Sequence, residues 1–169
     1  MPEWTGGPRP ECPAVKELKL ALKMAAPNIR IGRTIDSDKS RHEAGLAMDV
    51  MLHSKIPDQK LVADAIIAAL VGVHAQMGWF DLIYTDWDKA GNPFYFHIPG
   101  LPPYGGPKGR LKKNPTSAQL GREHENHFHI DWWPGRGTTE WPRTANNTGF
   151  KTALVAAILA NMRPPSAQD

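Results

Sequence analysis

Two short apolar segments constrain the fold of this chain most, because each is strand-like and yet carries ionisable side chains. The first, residues 46–52, contains Asp49 between two large apolar residues, and the second, residues 127–133, contains His127 and His129. A carboxylate in an apolar strand is costly unless it is paired or bound to a cation. Strand geometry places residues i and i+2 on one face, so both imidazoles point to the same side. These segments predict a polar site on a sheet, although a half-exposed strand that turns its histidines to water is the alternative.

The remaining periodicities predict helices packed around such a sheet. Apolar residues at helical spacing predict a first helix over residues 13–26 with one buried face. Residues 58–77 are apolar almost all round and predict a buried helix, and residues 150–162 predict a closing helix. Further strands are predicted over residues 29–35, 80–85 and 94–97. The expected fold class is α+β, with a central, mainly antiparallel sheet and flanking helices.

The length of 169 residues fits one domain over residues 1–169. Prolines and glycines in residues 1–12 predict an irregular N-terminal arm. Residues 98–123 are rich in Pro, Gly, Lys and Arg without periodicity and predict a long surface loop. Loops of this length are uncommon unless they are functional or disordered. This loop is either a solvated surface segment or part of a cleft next to the histidines that follow it in the sequence.

Composition excludes several classes of protein. Hydrophobic residues make up 41% of the chain and charged residues 22%, which disfavours both disorder and a fibrous repeat. The net charge of +3 is too small to indicate a nucleic-acid partner. The longest apolar stretch, residues 61–73, is interrupted by Asp64 and is shorter than the ~20 residues that span a bilayer, so no membrane insertion is expected. The single cysteine, Cys12, excludes an internal disulfide and a zinc ribbon.

A polar turn before the first of the two strands adds a candidate metal ligand. His42 lies seven positions before Asp49, and the small residues Gly45 and Ala47 between them suit a place where another group approaches closely. His42, Asp49 and one histidine of the later pair would give three N/O ligands and leave a fourth position for water. This is the layout of a catalytic zinc site. In the alternative interpretation, backbone amides or an arginine satisfy Asp49.

Two motifs in this order carry a resemblance to a known family. They are Ser40-x-His42-x-x-Gly45-x-Ala47-x-Asp49 and His127-x-His129. Together they resemble the zinc peptidases that share a fold with lysostaphin, the D-alanyl-D-alanine metallopeptidases and the hedgehog signalling domain. The resemblance implies that fold, with Zn²⁺ as the cofactor and His42, Asp49 and His129 as its ligands. It also implies that His127 lies beside the metal as a catalytic group.

Within this family, the triplet His124-x-x-His127-x-His129 is most similar to the penicillin-insensitive murein endopeptidases. The carboxypeptidase-like branch has a glutamate base three positions before the last zinc histidine, where this chain has Asn126. The resemblance therefore implies a zinc-dependent endopeptidase that cuts stem or cross-link peptides of peptidoglycan. The alternatives are a D,D- or L,D-carboxypeptidase on the same substrate, and a non-catalytic zinc-binding interaction domain. A nuclease of the His-Asn-His type is disfavoured by the strand pattern around His127.

Three residues near His127 and His129, namely His124, Glu125 and Asp131, each have more than one candidate role. His124 orients His127 or binds substrate, or else is a solvated turn residue. Asp131 continues the row of residues on the strand face of His129 and would hold a ligand imidazole from behind, unless it is a surface aspartate. The general base stays open among His127, His124 and Glu125.

Two residues outside the strands are candidates for substrate binding. Arg41 adjoins His42 and could bind a substrate carboxylate, and Tyr104 lies in the basic loop that precedes the histidine triplet. A positive loop next to the site would attract anionic cell-wall peptides.

The N-terminal residues lack the positive start and apolar core of a secretory signal. The sequence therefore predicts synthesis in the cytoplasm without that signal, and action in the periplasm or cell wall after phage-type lysis or machine-dependent export. The protein would be a phage lysin or a secreted antibacterial effector, and an effector would have an immunity or delivery protein as a partner. A monomer is expected.

Overall fold

The structure is a computed structural model that describes residues 11–32, 42, 45–79, 81–87, 93–97, 110–111, 124–132 and 147–163. The helices in these ranges are α1 (Pro13–Ala25), α2 (Pro57–Gly72), α3 (His74–Met77) and α4 (Asn147–Asn161). The strands are β1 (Ala47–Val50), β2 (Asp81–Ile83), β3 (Thr85–Trp87), β4 (Pro93–His97), β5 (Arg110–Leu111) and β6 (Phe128–Asp131). The expected α+β class is confirmed at this coarse level.

The strand pairings in the described part of the chain are antiparallel, as the sequence predicts. One sheet has the order β1, β6, β2, so that β6 is its central strand. A second set of strands has the order β3, β4, β5. Because β6 is paired on both sides, its backbone is fixed at every residue that carries a candidate site side chain.

The sheet has an apolar face and a polar face, which follow from the alternation along β6. Phe128 and Ile130 are fully buried, whereas His129 keeps 12% of its side chain exposed on the other face. Helices α1, α2 and α4 pack together, and their buried side chains share one core with the apolar sheet residues. Trp132, directly after β6, is fully buried, and its indole N–H donates to Met77 O at 3.2 Å.

Helix α1 closely matches its predicted span because its sequence contains a clear start and a clear buried stripe. Pro13 occupies the first turn, where its missing N–H costs nothing. The buried residues recur at helical spacing; they are Ala14, Val15, Leu18, Ala21, Leu22 and Ala25. The helix ends before Pro27, as the sequence predicts.

The predicted helix over residues 58–77 is two helices in the structure. Helix α2 ends at Gly72, and Val73 has φ −109° and ψ 17°, outside the helical range. Gly and β-branched residues both have low helix propensity, which explains a break at this pair. Helix α3 then ends at Gly78, which has the left-handed φ of 65°.

The structure also differs in detail from the strands predicted over residues 29–35 and 80–85 and from the loop predicted over residues 98–123. Residues 80–85 do not form one strand, since β2 and β3 lie on either side of Tyr84. Of the predicted strand 29–35, Ile31 forms an isolated bridge to Val50, and residues 33–35 lie outside the described residues. Within the predicted loop 98–123, Arg110–Leu111 form β5.

Much of that loop and of the N-terminal arm lies outside the described residues, as do Arg41 and Tyr104. Among the helices that the structure describes, none combines the length and the apolar character needed to cross a membrane.

Candidate metal centre

The pairing of β1 with β6 brings Asp49 and His129 together. The two residues are direct cross-strand partners in this antiparallel pair, so their side chains lie on the same face of the sheet. His129 Nδ1 lies 3.0 Å from Asp49 Oδ1. Two residues eighty positions apart in the sequence are therefore in contact because of strand register.

His42 reaches the same place from a tight turn. Gly45 has φ 72°, a left-handed conformation that favours glycine, and its N–H donates to His42 O at 3.0 Å. The N–H of Cys12 donates to Gly45 O at 2.8 Å and joins the turn to the start of α1. His42 Nε2 consequently lies 3.1 Å from His129 Nδ1 and 3.3 Å from Asp49 Oδ1.

The spacing of these three side chains fits a small tetrahedral cation. Each of the three residues offers one ligand atom, and these atoms all lie within 4.8 Å of one another. At the bond lengths typical of zinc, neighbouring ligand atoms of a tetrahedral ion are about 3.3 Å apart. The separations of 3.0, 3.1 and 3.3 Å are close to that value. His42, Asp49 and His129 can therefore hold a metal ion, as the sequence predicts.

Asp131 fixes the orientation of the His129 ring. His129 Nε2 lies 2.9 Å from Asp131 Oδ2, and only 3% of Asp131 is exposed. Burial opposes protonation of His129, but hydrogen bonds to Asp131 and Asp49 outweigh it and raise the pKa of the imidazole to about 10. The predicted support of a ligand imidazole by Asp131 agrees with this geometry.

The site strongly favours positive charge next to Asp49. Burial by itself would raise the pKa of Asp49, but hydrogen bonds from His129 and His42 dominate and hold the pKa of this carboxyl well below its usual range. A cation at this place would compete with protons for the same ligand atoms, because a metal ligand must be deprotonated.

His127 and His124 lie beside the three ligand candidates. His127 Nε2 is 3.7 Å from Asp49 Oδ1, and 17% of the His127 side chain is exposed. The ring of His124 lies with its centroid 4.9 Å from that of His127 and 6.0 Å from that of His129. Burial lowers the pKa of the His127 imidazole. A neutral imidazole next to a metal site can accept a proton from water or substrate.

Glu125 belongs to the same turn, but its carboxylate contacts the loop after β1. Glu125 Oε1 lies 3.0 Å from Lys55 Nζ and 3.8 Å from His53 Nε2. The backbone of Glu125 contacts the same loop, because the N–H of Ser54 donates to Glu125 O at 2.8 Å. Glu125 thus anchors the turn that carries His124 and His127. The sequence around Glu125 contains no signal for this anchoring role.

Gly32 is a second residue whose place at the site the sequence does not reveal. Its N–H donates to Asp49 O at 2.8 Å, and an added Cβ would lie 2.9 Å from Met51 Sδ and 3.4 Å from Asp49 Cβ. A side chain at position 32 would require the flexible Met51 side chain to move, and its Cβ would be in van der Waals contact with Asp49.

Models of known protein families, curated proteins and solved structures were compared with the chain, and none of them matched.

Proposed function

We propose that this protein is a zinc-dependent endopeptidase that hydrolyses a peptide bond in stem or cross-link peptides of peptidoglycan. One observation carries the proposal: the ligand atoms of His42, Asp49 and His129 converge, with His127 Nε2 3.7 Å from Asp49 Oδ1. Three protein ligands with an imidazole beside them leave room for water or substrate, which is typical of catalytic and not of structural zinc sites.

The donor set supports zinc over harder cations. Two imidazole nitrogens and one carboxylate oxygen suit Zn²⁺, whereas Mg²⁺ and Ca²⁺ prefer oxygen ligands throughout. In this proposal His42 binds through Nε2, His129 through Nδ1 and Asp49 through Oδ1. Zinc held by these three residues would supply Lewis-acid activation of water and of the scissile carbonyl.

In this proposal, three residues around the ligands have separate roles in catalysis: His127, Asp131 and His124. His127 accepts the proton of the attacking water through Nε2 and later returns it to the leaving amine. Asp131 holds His129 in one orientation, so that Nδ1 stays directed at Asp49. His124, packed against His127, contacts the substrate or limits the motion of the His127 ring.

The substrate class and the mode of cleavage come from the family resemblance. Asn126 stands where the carboxypeptidase-like branch has a glutamate base, which favours an endopeptidase over a D,D- or L,D-carboxypeptidase. In this proposal Arg41 and Tyr104 bind the peptide, and the fold is that of the hedgehog and D-alanyl-D-alanine peptidase group. The protein would reach the cell wall as a phage lysin or as an exported effector.

The test is digestion of purified sacculi by the zinc-loaded chain, with the products identified by mass spectrometry. The proposal expects cleaved cross-links or shortened stem peptides, and far less product from the His127→Ala variant over the same time. Release of terminal D-alanine alone, with cross-links intact, would make the protein a carboxypeptidase. Stoichiometric zinc without any product would identify a binding domain instead.

A further inference from the structure

Asn126 makes a close contact with the proposed catalytic histidine. Asn126 Oδ1 lies 2.7 Å from His127 Nδ1, a distance at the short end of the range for N–H···O hydrogen bonds. The other ring nitrogen, Nε2, is the one 3.7 Å from Asp49 Oδ1. The ring therefore turns one nitrogen to Asn126 and the other to the metal centre.

The chemistry of this contact selects one form of the ring. An amide oxygen can only accept a hydrogen bond, so His127 Nδ1 must carry the hydrogen. A neutral imidazole carries a single N–H, which leaves the lone pair on Nε2. The contact with Asn126 thus places a proton acceptor on the side of the ring that lies nearest to Asp49.

The backbone of the turn keeps Asn126 in place for this contact. The preceding residue, Glu125, is tied to the loop after β1 by the Ser54 N–H and by Lys55. The following residue, His127, leads directly into β6, which is paired on both sides. Asn126 itself is exposed, so no core packing depends on its side chain.

We propose that Asn126 is a positioning residue that holds His127 in the Nδ1–H tautomer, with Nε2 directed at the metal centre. The residue that replaces the glutamate base of the carboxypeptidase-like branch then orients the base used here. The catalytic consequence rests on the proposed function, whereas the tautomer itself can be measured without any activity.

The experiment uses the zinc-loaded full chain with ¹⁵N-labelled histidine, at mildly alkaline pH where an ordinary imidazole is neutral. Two-bond and three-bond ¹H–¹⁵N correlation spectra report which nitrogen of His127 carries the hydrogen. The wild type should show a protonated Nδ1 and an unprotonated Nε2. Asn126→Ala should lose this preference, whereas Asn126→Asp, which keeps an acceptor, should retain it. Asn161→Ala removes an amide at the end of α4 that donates to Ala65 O on α2 at 3.2 Å, and it should leave the His127 signals unchanged.

Turnover of muropeptides adds a second readout. Asn126→Ala should lower kcat about 10- to 100-fold, the usual effect of removing a partner that orients a site imidazole, with KM little changed. Asn126→Asp should recover most of that loss. A wild-type His127 protonated at Nε2, or an unchanged tautomer in Asn126→Ala, would overturn the inference. If the wild type cleaves no muropeptide, the proposed function fails, and the spectra still decide the role of Asn126.

Discussion

His129 Nε2 and Asp131 Oδ2 are 2.9 Å apart, and this contact determines which nitrogen of His129 faces the other ligand candidates. Because Nε2 is engaged, Nδ1 is the nitrogen that lies 3.0 Å from Asp49 Oδ1. Asp131 is almost fully buried, and a buried carboxylate is stable only with a partner. Asp131 therefore needs the His129 imidazole as its hydrogen-bond partner, and His129 needs Asp131 to keep its ring in one orientation.

The first prediction concerns this pair. Asp131→Asn removes the negative charge behind His129 and should weaken zinc binding by about 10- to 100-fold, the usual effect of changing a group that supports a metal ligand. Competition with a chromophoric chelator measures the change in Kd. Asp64→Asn is the control, because Asp64 is an exposed aspartate paired with Lys60 on α2, and it should leave the Kd unchanged. Equal zinc affinities of the wild type and Asp131→Asn would show that Asp131 does not support zinc binding.

The second prediction concerns the ligands themselves. The chain should bind one zinc ion, and replacing any two of His42, Asp49 and His129 by alanine should abolish stoichiometric binding, since one remaining side chain cannot hold the ion. Elemental analysis of protein purified without added metal provides the measurement. His53→Gln changes a histidine outside the ligand group and should retain the metal. Zinc that persists after two ligands are lost would show that it binds elsewhere.

The third prediction separates catalysis from metal binding. His127→Ala should retain zinc, because His127 is not among the three ligand candidates. It should lose most turnover, since a general acid–base group contributes ~10²–10⁴-fold. Kinetics on muropeptides and zinc analysis of the same sample test both statements. A wild-type rate would transfer the role to His124 or Glu125.

The fourth prediction addresses Glu125 as an alternative base. Its carboxylate contacts Lys55, so Glu125→Gln and Lys55→Met break the same ion pair and should reduce turnover by a similar, small factor. A general base would give a different result, namely a loss of ~10²–10⁴-fold in Glu125→Gln alone. Steady-state kinetics of the two variants and of the double variant distinguish these cases.

Local sequence patterns predict most helices and strands and the three candidate ligands. They do not predict the contacts between segments that are distant in the sequence. The spacing of apolar residues defines α1 because a buried helix face depends on nearby residues. The division between α2 and α3 depends on Gly72 and Val73, whose low propensity competes with an apolar run that favours one helix. Helix propensity alone does not predict where a helix breaks, because tertiary packing can override it.

The contacts of the site are long-range and depend on strand register. Asp49 and His129 are recognisable as candidates from their residue type, yet their 3.0 Å contact follows from cross-strand pairing. The link from Glu125 to Lys55 joins a turn to a distant loop and has no local signal. A one-residue shift of β6 would turn His129 to the opposite face, so register matters more to this site than composition does.

The fifth prediction contrasts two glycines, one in the turn that carries His42 and one at the end of α2. Gly45 has φ 72°, so Gly45→Ala should destabilise the fold by about 1–2 kcal/mol and weaken zinc binding by displacing His42. Gly72 has open space around an added Cβ and no left-handed φ, so Gly72→Ala should leave the site intact and should not lower the free energy of unfolding. Denaturant unfolding and zinc competition measure both effects. If both variants gained stability and retained zinc affinity, the left-handed turn at Gly45 would not be what positions His42.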